Sequence, residues 1–279
     1  MTQSTNFGER AVAAGRERGR LCVGIDPHPH LLEAWGLTVD AAGLRSFTMT
    51  CVEAFADTAA MVKPQVAFFE RFGSAGFAVL EDALAGLRDA GCLSLADAKR
   101  GDIGSTMAGY ADAWLGETSP LRADAVTVSP YLGVGALGPV FDVAAETGRG
   151  VFVLAATSNP EAVGLQSLTV EGRSVAQRVV DECGQRNLAC GANAEGAVGP
   201  VGVVVGATLD TPPVLDQLRG PVLLPGVGAQ GATAADVRHL TQAAPELGFA
   251  NVSRAILSRG PQVSDLRKAV EETAAEFRD

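Results

Sequence analysis

The chain has 279 residues, of which 47% are hydrophobic and 19% charged, enough apolar material for a large core and too little polar bias for disorder. A formal net charge of −10, with no basic block along the chain, argues against a general nucleic-acid or membrane surface, so any anionic ligand must be gripped by local groups. Cys22, Cys51, Cys92, Cys183 and Cys190 are an odd set without short paired spacing, which suggests neither a disulfide framework nor a zinc site, and no apolar run approaches the roughly 20 residues of a membrane span. These features predict a soluble protein of a reducing, cytoplasmic compartment, with no nucleic-acid or membrane partner.

In chain order, short apolar and β-branched runs recur eight times: LCVGI from Leu21, MVKPQV from Met61, CLSLAD from Cys92, AVTVS from Ala125, VFVLA from Val151, VGVVVG from Val201, VLLPG from Val222 and FANVS from Phe249. Stretches of helical period separate them. One places Leu44, Phe47, Cys51 and Phe55 on a single face behind the candidate N-cap Asp40, and another places Phe77, Leu80, Leu84 and Leu87 ahead of Gly91. Near-continuous apolar strands alternating with amphipathic helices describe a parallel sheet covered by helices. Eight such units in this length predict a (β/α)8 TIM barrel, α/β in class, as one domain over residues 1–279. An open doubly wound sheet would more often carry a glycine fingerprint after its first strand, where this chain has DPHPH. Residues 183–199, rich in small side chains, read as a helix end and connection.

A barrel of this kind carries its active site at the C-terminal ends of its strands, and the polar residues gather there. Asp26 ends the first strand, Lys63 lies in the second, Asp97 and Lys99 end the third and Ser129 the fourth. Thr157 and Ser158 follow the fifth strand, Gln230 the seventh, and Arg254 ends the eighth. The segment LADAKRGDIGST, Leu95 to Thr106, therefore turns charged because it has reached a pocket. In extended backbone alternate residues share a face, so Asp97 and Lys99 aim together into the barrel mouth, Ala98 turns to the helices, and Lys63 reaches the same place. A carboxylate beside each ammonium keeps both charged even when partly buried. The alternative is a solvated DAKRGD loop with local ion pairs, which its position between an apolar strand and a helix bearing Met107, Tyr110 and Trp114 disfavours.

DAKRGDI, taken with VKPQVAFFE, TSNP, LPGVGAQG and NVSRAI, resembles the orotidine 5'-phosphate decarboxylase family, in the longer form found in many bacteria, and the likeness runs in order from Asp26 to Arg254. The resemblance implies conversion of orotidine 5'-monophosphate to uridine 5'-monophosphate and carbon dioxide, the last step of de novo UMP synthesis, with no metal or organic cofactor. It implies that Lys99 donates the proton to C6 of the pyrimidine, that Asp97 faces the departing carboxylate, and that Lys63 and Asp102 complete the charged array. It also implies a homodimer with shared active sites, in which Asp102, Ile103 and Thr106 serve the neighbouring subunit. Ser158 matches the serine that bonds the pyrimidine and Asp26 the acid near the ribose, although either residue could instead cap a helix. Pro225 and Val227 would form apolar walls, and Gln230 and Arg254 would hold the phosphate with the backbone N–H groups of the glycine-rich PGVGAQG turn.

Independent of family, a carbanion at an sp² ring carbon cannot pass its charge into the π-system, so a cation beside it is the required stabiliser. His28 and His30 tempt toward a metal site, but DPHPH reads as a strand-to-helix turn with solvated imidazoles, His239 falls in a predicted helix, and Met107 and Trp114 read as helix packing. Two rivals are a metal-dependent sugar-phosphate aldolase or isomerase of the same barrel type, poorly served by Lys63, and a noncatalytic nucleotide-phosphate binder, which would have no need of all four charges.

Overall fold

In the computed structural model, which describes residues 5–194 and 196–278, eight parallel strands close into a barrel. They are β1 (Leu21–Ile25), β2 (Met61–Pro64), β3 (Leu93–Arg100), β4 (Ala125–Val128), β5 (Gly150–Ala156), β6 (Val201–Val205), β7 (Val222–Pro225) and β8 (Gly248–Val252). Each pairs with its chain neighbours, and β8 returns to β1. All eight apolar runs of the sequence are barrel strands, and the expected helices lie between them: Ala41–Phe55 is capped by the Asp40 side chain on the Gly43 N–H, and Gly73–Asp89 stops before Gly91 at φ +70°.

Side chains alternate between two apolar layers. Cys22, Met61, Leu95, Ala125, Phe152 and Phe249 pack inside the barrel, while Val23, Val62, Ala96, Val126, Val153 and Ala250 pack outward under the helices. The end where the strands begin is plugged by helix α1 (Phe7–Arg18). Its Phe7 meets Phe152 edge-on at 5.8 Å, and a Cβ on Gly150 would strike the Phe7 ring at 2.2 Å. With one end sealed, polar interior residues are confined to the other. No described helix is long and apolar enough to cross a membrane.

The segment 183–199 is, over its described residues, the end of helix Val175–Ala189 and a connection to β6, with Glu195 outside the described residues, as are Met1–Ser4 and Asp279. After β5 the chain also forms a short antiparallel hairpin, Thr169–Val170 with Arg173–Ser174, whose two-residue strands are too short to leave a periodic signal.

Candidate active site

Continuing each interior stripe by two residues leads from Met61 to Lys63, from Leu95 to Asp97 and from Ala125 to Thr127. The stripes thus end in three buried polar side chains at the mouth, Lys63 being 3% exposed, Asp97 8% and Thr127 1%. Asp97 is their centre. Its Oδ2 accepts from Lys63 Nζ at 2.8 Å and from Gln65 Nε2 at 2.8 Å, and its Oδ1 accepts from Lys99 Nζ at 2.6 Å and from the Thr127 hydroxyl at 2.9 Å. Four donors fill the acceptor positions of one carboxylate.

That shell sets the charges. Burial alone would raise the Asp97 carboxyl, but Lys63 and Lys99 outweigh it and hold the group well below the usual carboxylate range. Burial alone would lower the Lys63 ammonium, but Asp97 and Asp26 more than compensate and lift it above its ordinary value. Both groups therefore stay ionised. The Cys22 thiol beneath them is pushed up to about 12, chiefly by burial, and offers no nucleophile.

Asp97 and Lys99 converge, yet not by simple strand alternation. Lys99 has φ +48°, and the β3–β4 register shifts between Ala96 and Arg100. Its N–H, displaced from the regular ladder, donates to Thr127 Oγ1 at 2.9 Å. Arg100 leaves the site: its guanidinium pairs with Glu70 and lies 5.7 Å from the Tyr110 ring centroid and 5.5 Å from that of Trp114. DAKR thus sends two charges into the mouth and one into the packing of helix Gly104–Leu115, where Met107 and Trp114 are buried.

The remaining residues expected at the mouth fall into three groups. Asp26 lies just beyond β1, and its Oδ1 is buried without a hydrogen-bond donor among the described residues. It caps no helix, the N-cap of the next helix being His28. Ser158 likewise caps nothing, since Asn159 opens the following turn; its hydroxyl donates to Gln230 Oε1 at 2.8 Å, tying the loop after β5 to the loop after β7. Pro225, half-buried, ends β7, and Val227 is buried behind it.

The glycine-rich turn is closed by its own hydrogen bonds. The N–H groups of Gly228, Ala229, Gln230, Gly231 and Ala232 all donate to carbonyls within the turn. Gly226 is required there: it sits at φ +104°, and a Cβ would lie 2.9 Å from Gln230 Oε1. Arg254 does not end β8. Ser253 intervenes, and Arg254 is the exposed first residue of the short helix Arg254–Leu257. His28 also departs from expectation. It is half-buried, stacks on His30 with centroids 5.2 Å apart and meets Phe68 edge-on at 4.3 Å, and burial lowers its pKa.

Asp102 and Thr106 are not drawn into this mouth. Asp102 accepts the N–H of Ile103 at 2.8 Å, while Ile103, 62% exposed, and Thr106 face outward. Gln65 and Thr127 join the site without having been anticipated. The available signal was positional: Gln65 lies two residues after Lys63, and Thr127 is the polar member of the apolar run AVTV.

Residues 19–269 match the profile of the orotidine 5'-phosphate decarboxylase / HUMPS family. An orotidine 5'-phosphate decarboxylase of Corynebacterium efficiens is 62% identical over 99% of this chain and 98% of its own. Among solved structures, a protein of Streptomyces avermitilis provisionally described as an orotidine 5'-phosphate decarboxylase aligns with TM-score 0.91 at 49% identity, covering 98% of this chain and 95% of that one. The orotidine monophosphate decarboxylase of Leishmania donovani aligns with TM-score 0.76 at 30% identity, over 98% of each chain.

Proposed function

The chain belongs to the orotidine 5'-phosphate decarboxylase / HUMPS family, and on that premise we propose how its barrel mouth performs the reaction it catalyses in pyrimidine biosynthesis, the conversion of orotidine 5'-monophosphate to uridine 5'-monophosphate and carbon dioxide. The observation that carries the assignment of residues is the saturated carboxylate of Asp97, which holds the ammonium groups of Lys63 and Lys99 on its two oxygens at the open end of an otherwise apolar barrel.

The bond from C6 to the substrate carboxylate breaks and its electron pair stays on C6. Lys99 stabilises that charge and then transfers an ammonium proton to C6, forming uridine 5'-monophosphate and a neutral amine that solvent reprotonates. Lys99 suits this task because its side chain, 46% exposed, reaches from the buried carboxylate toward the opening. Asp97, held ionised, repels the substrate carboxylate until carbon dioxide leaves as a neutral molecule, a contribution ranked second to that of Lys99. Lys63 sits behind Asp97 and keeps its charge in place. No step requires a metal or organic cofactor.

Recognition is divided around the mouth. The unpartnered Oδ1 of Asp26 is suited to accept from a ribose hydroxyl. Ser158 addresses the pyrimidine and Pro225 forms an apolar wall, while Gln230 and Arg254 hold the phosphate, the latter with a charged fork. Asp102 and Thr106 belong to the site of a second subunit in a homodimer. The exposure of Thr106 and of the apolar side chains of Ile103, Tyr131 and Leu132, on the loops and helix that follow β3 and β4, supports that arrangement. The whole chain acts as one barrel unit, and its five free cysteines favour a reducing cytoplasm.

The test is the ultraviolet change of orotidine 5'-monophosphate on mixing with the purified protein in excess chelator. Sustained conversion is expected; absence of change at any enzyme concentration would sink the assignment, and activity restored only by a divalent metal would transfer it to the metal-dependent barrel enzymes.

A further inference from the structure

We propose that Thr127 is a positioning residue for the decarboxylation, orienting the main chain of Lys99 and the carboxylate of Asp97 through a single hydroxyl. The inference rests on the reading of Lys99 as proton donor and Asp97 as its counter-charge.

The hydrogen-bond direction is fixed by chemistry. The Lys99 N–H can only donate, so Thr127 Oγ1 accepts it at 2.9 Å, and the hydroxyl proton is then directed to Asp97 Oδ1, also at 2.9 Å. Thr127 is 1% exposed, on a strand whose other residues are Ala125, Val126 and Val128, so solvent does not compete for either bond. The hydroxyl thus spans the carboxylate of the acid and the main chain of its partner, two points that must move together if the Lys99–Asp97 contact of 2.6 Å is to persist.

The backbone at Lys99 gives this link its importance. A lysine at φ +48° occupies a region that non-glycine residues enter at a cost, and only surrounding contacts keep it there. At Lys99 the regular strand pairing is interrupted, and the contact that replaces it is the Thr127 hydroxyl. Without it the Lys99 N–H is left without that acceptor, the peptide relaxes toward extended geometry, and the Cα–Cβ bond that aims the long side chain swings away. Ser158 and Gln230 lie on other loops and Arg254 on the helix after β8, so none is displaced by that change. Turnover should fall while the nucleotide still binds.

Three variants separate the hydroxyl from the space it fills. T127A and T127S differ by one oxygen, and T127V keeps volume and branching without the hydroxyl. With the full-length protein, kcat for orotidine 5'-monophosphate and the affinity for uridine 5'-monophosphate are measured, and melting confirms folding. The expected result is a loss of about 100-fold in kcat for T127A and T127V, affinity within about threefold of wild type, and recovery of at least about tenfold by T127S. Overturning results are T127S as slow as T127A, T127V as fast as wild type, or affinity falling in step with kcat. If neither T127A nor T127V folds while T127S does, the hydroxyl serves stability and the positioning role is also overturned. Lys99→Ala measured alongside distinguishes the two levels: wild-type turnover in that variant removes the premise, whereas its inactivity beside a fully active T127V removes only the role of Thr127.

Discussion

Asp97 shows how one side chain can be costly and yet indispensable. A carboxylate 8% exposed must be compensated by its neighbours, and four donors do so, two of them cationic. The same arrangement places the Lys99 ammonium at the opening, 2.6 Å from Asp97 Oδ1, which leads to a sharp expectation for Lys99→Ala. Its kcat should fall by about 10⁴-fold, the upper range for loss of a positioned proton donor, while uridine 5'-monophosphate binds nearly as before because the phosphate contacts are remote from C6. Steady-state kinetics and an equilibrium titration of the product check this; parallel loss of both would contradict the assigned role. At this scale Lys63, Asp97 and Lys99 were legible because charge interrupts an apolar alternation. Thr127 was not, since threonine is an ordinary strand former and nothing in AVTV marks its hydroxyl as a link. Nor could the positive φ of Lys99 be foreseen, because a bulge is set by pairing with β4 and not by the residues of DAKR alone.

At the scale of elements, the strands were readable because in a parallel barrel both faces are buried and each strand is therefore a nearly continuous apolar run. The plug α1 was not, since Phe7, Ala11 and Val12 make a weak stripe among charged residues whose meaning depends on the barrel they close. Loop use was partly legible. LPGVGAQG forms a tight turn after β7, but four of its N–H groups, with that of Ala232 just after it, turn inward on the loop's own carbonyls. On the proposed reading, the phosphate contact would therefore rest more on the side chains of Gln230 and Arg254 than on the glycines. Arg254→Ala should accordingly raise the KM for orotidine 5'-monophosphate by about 10- to 100-fold, the range for losing a charged hydrogen-bond partner, and leave the feeble reaction of the phosphate-free nucleoside nearly unchanged. Kinetics on both substrates make the comparison, and equal losses on both would show that Arg254 does not serve the phosphate.

At the scale of the whole molecule, a chain that holds Lys63, Asp97 and Lys99 together gives half-buried Asp102 a different partner, the N–H of its neighbour Ile103. Ile103, Tyr131 and Leu132 are 62%, 78% and 53% exposed on the loops after β3 and β4, exposed apolar side chains of the kind an interface covers. If each site takes Lys99 from one subunit and Asp102 from the other, homodimers of Lys99→Ala and of Asp102→Ala are both nearly inactive, each carrying one lesion in every site. Equal mixing with free exchange makes about half the molecules heterodimers, and two-fold symmetry gives each of these one site with both lesions and one with neither, so about a quarter of all sites are intact. The measurement is decarboxylase activity after the two proteins are mixed under conditions shown to exchange subunits, with each protein incubated alone as the control. Recovery toward that fraction supports the shared site. Were both residues drawn from one chain, every site would keep a lesion, no activity would return on mixing, and the shared-site reading of Asp102 would have to be given up.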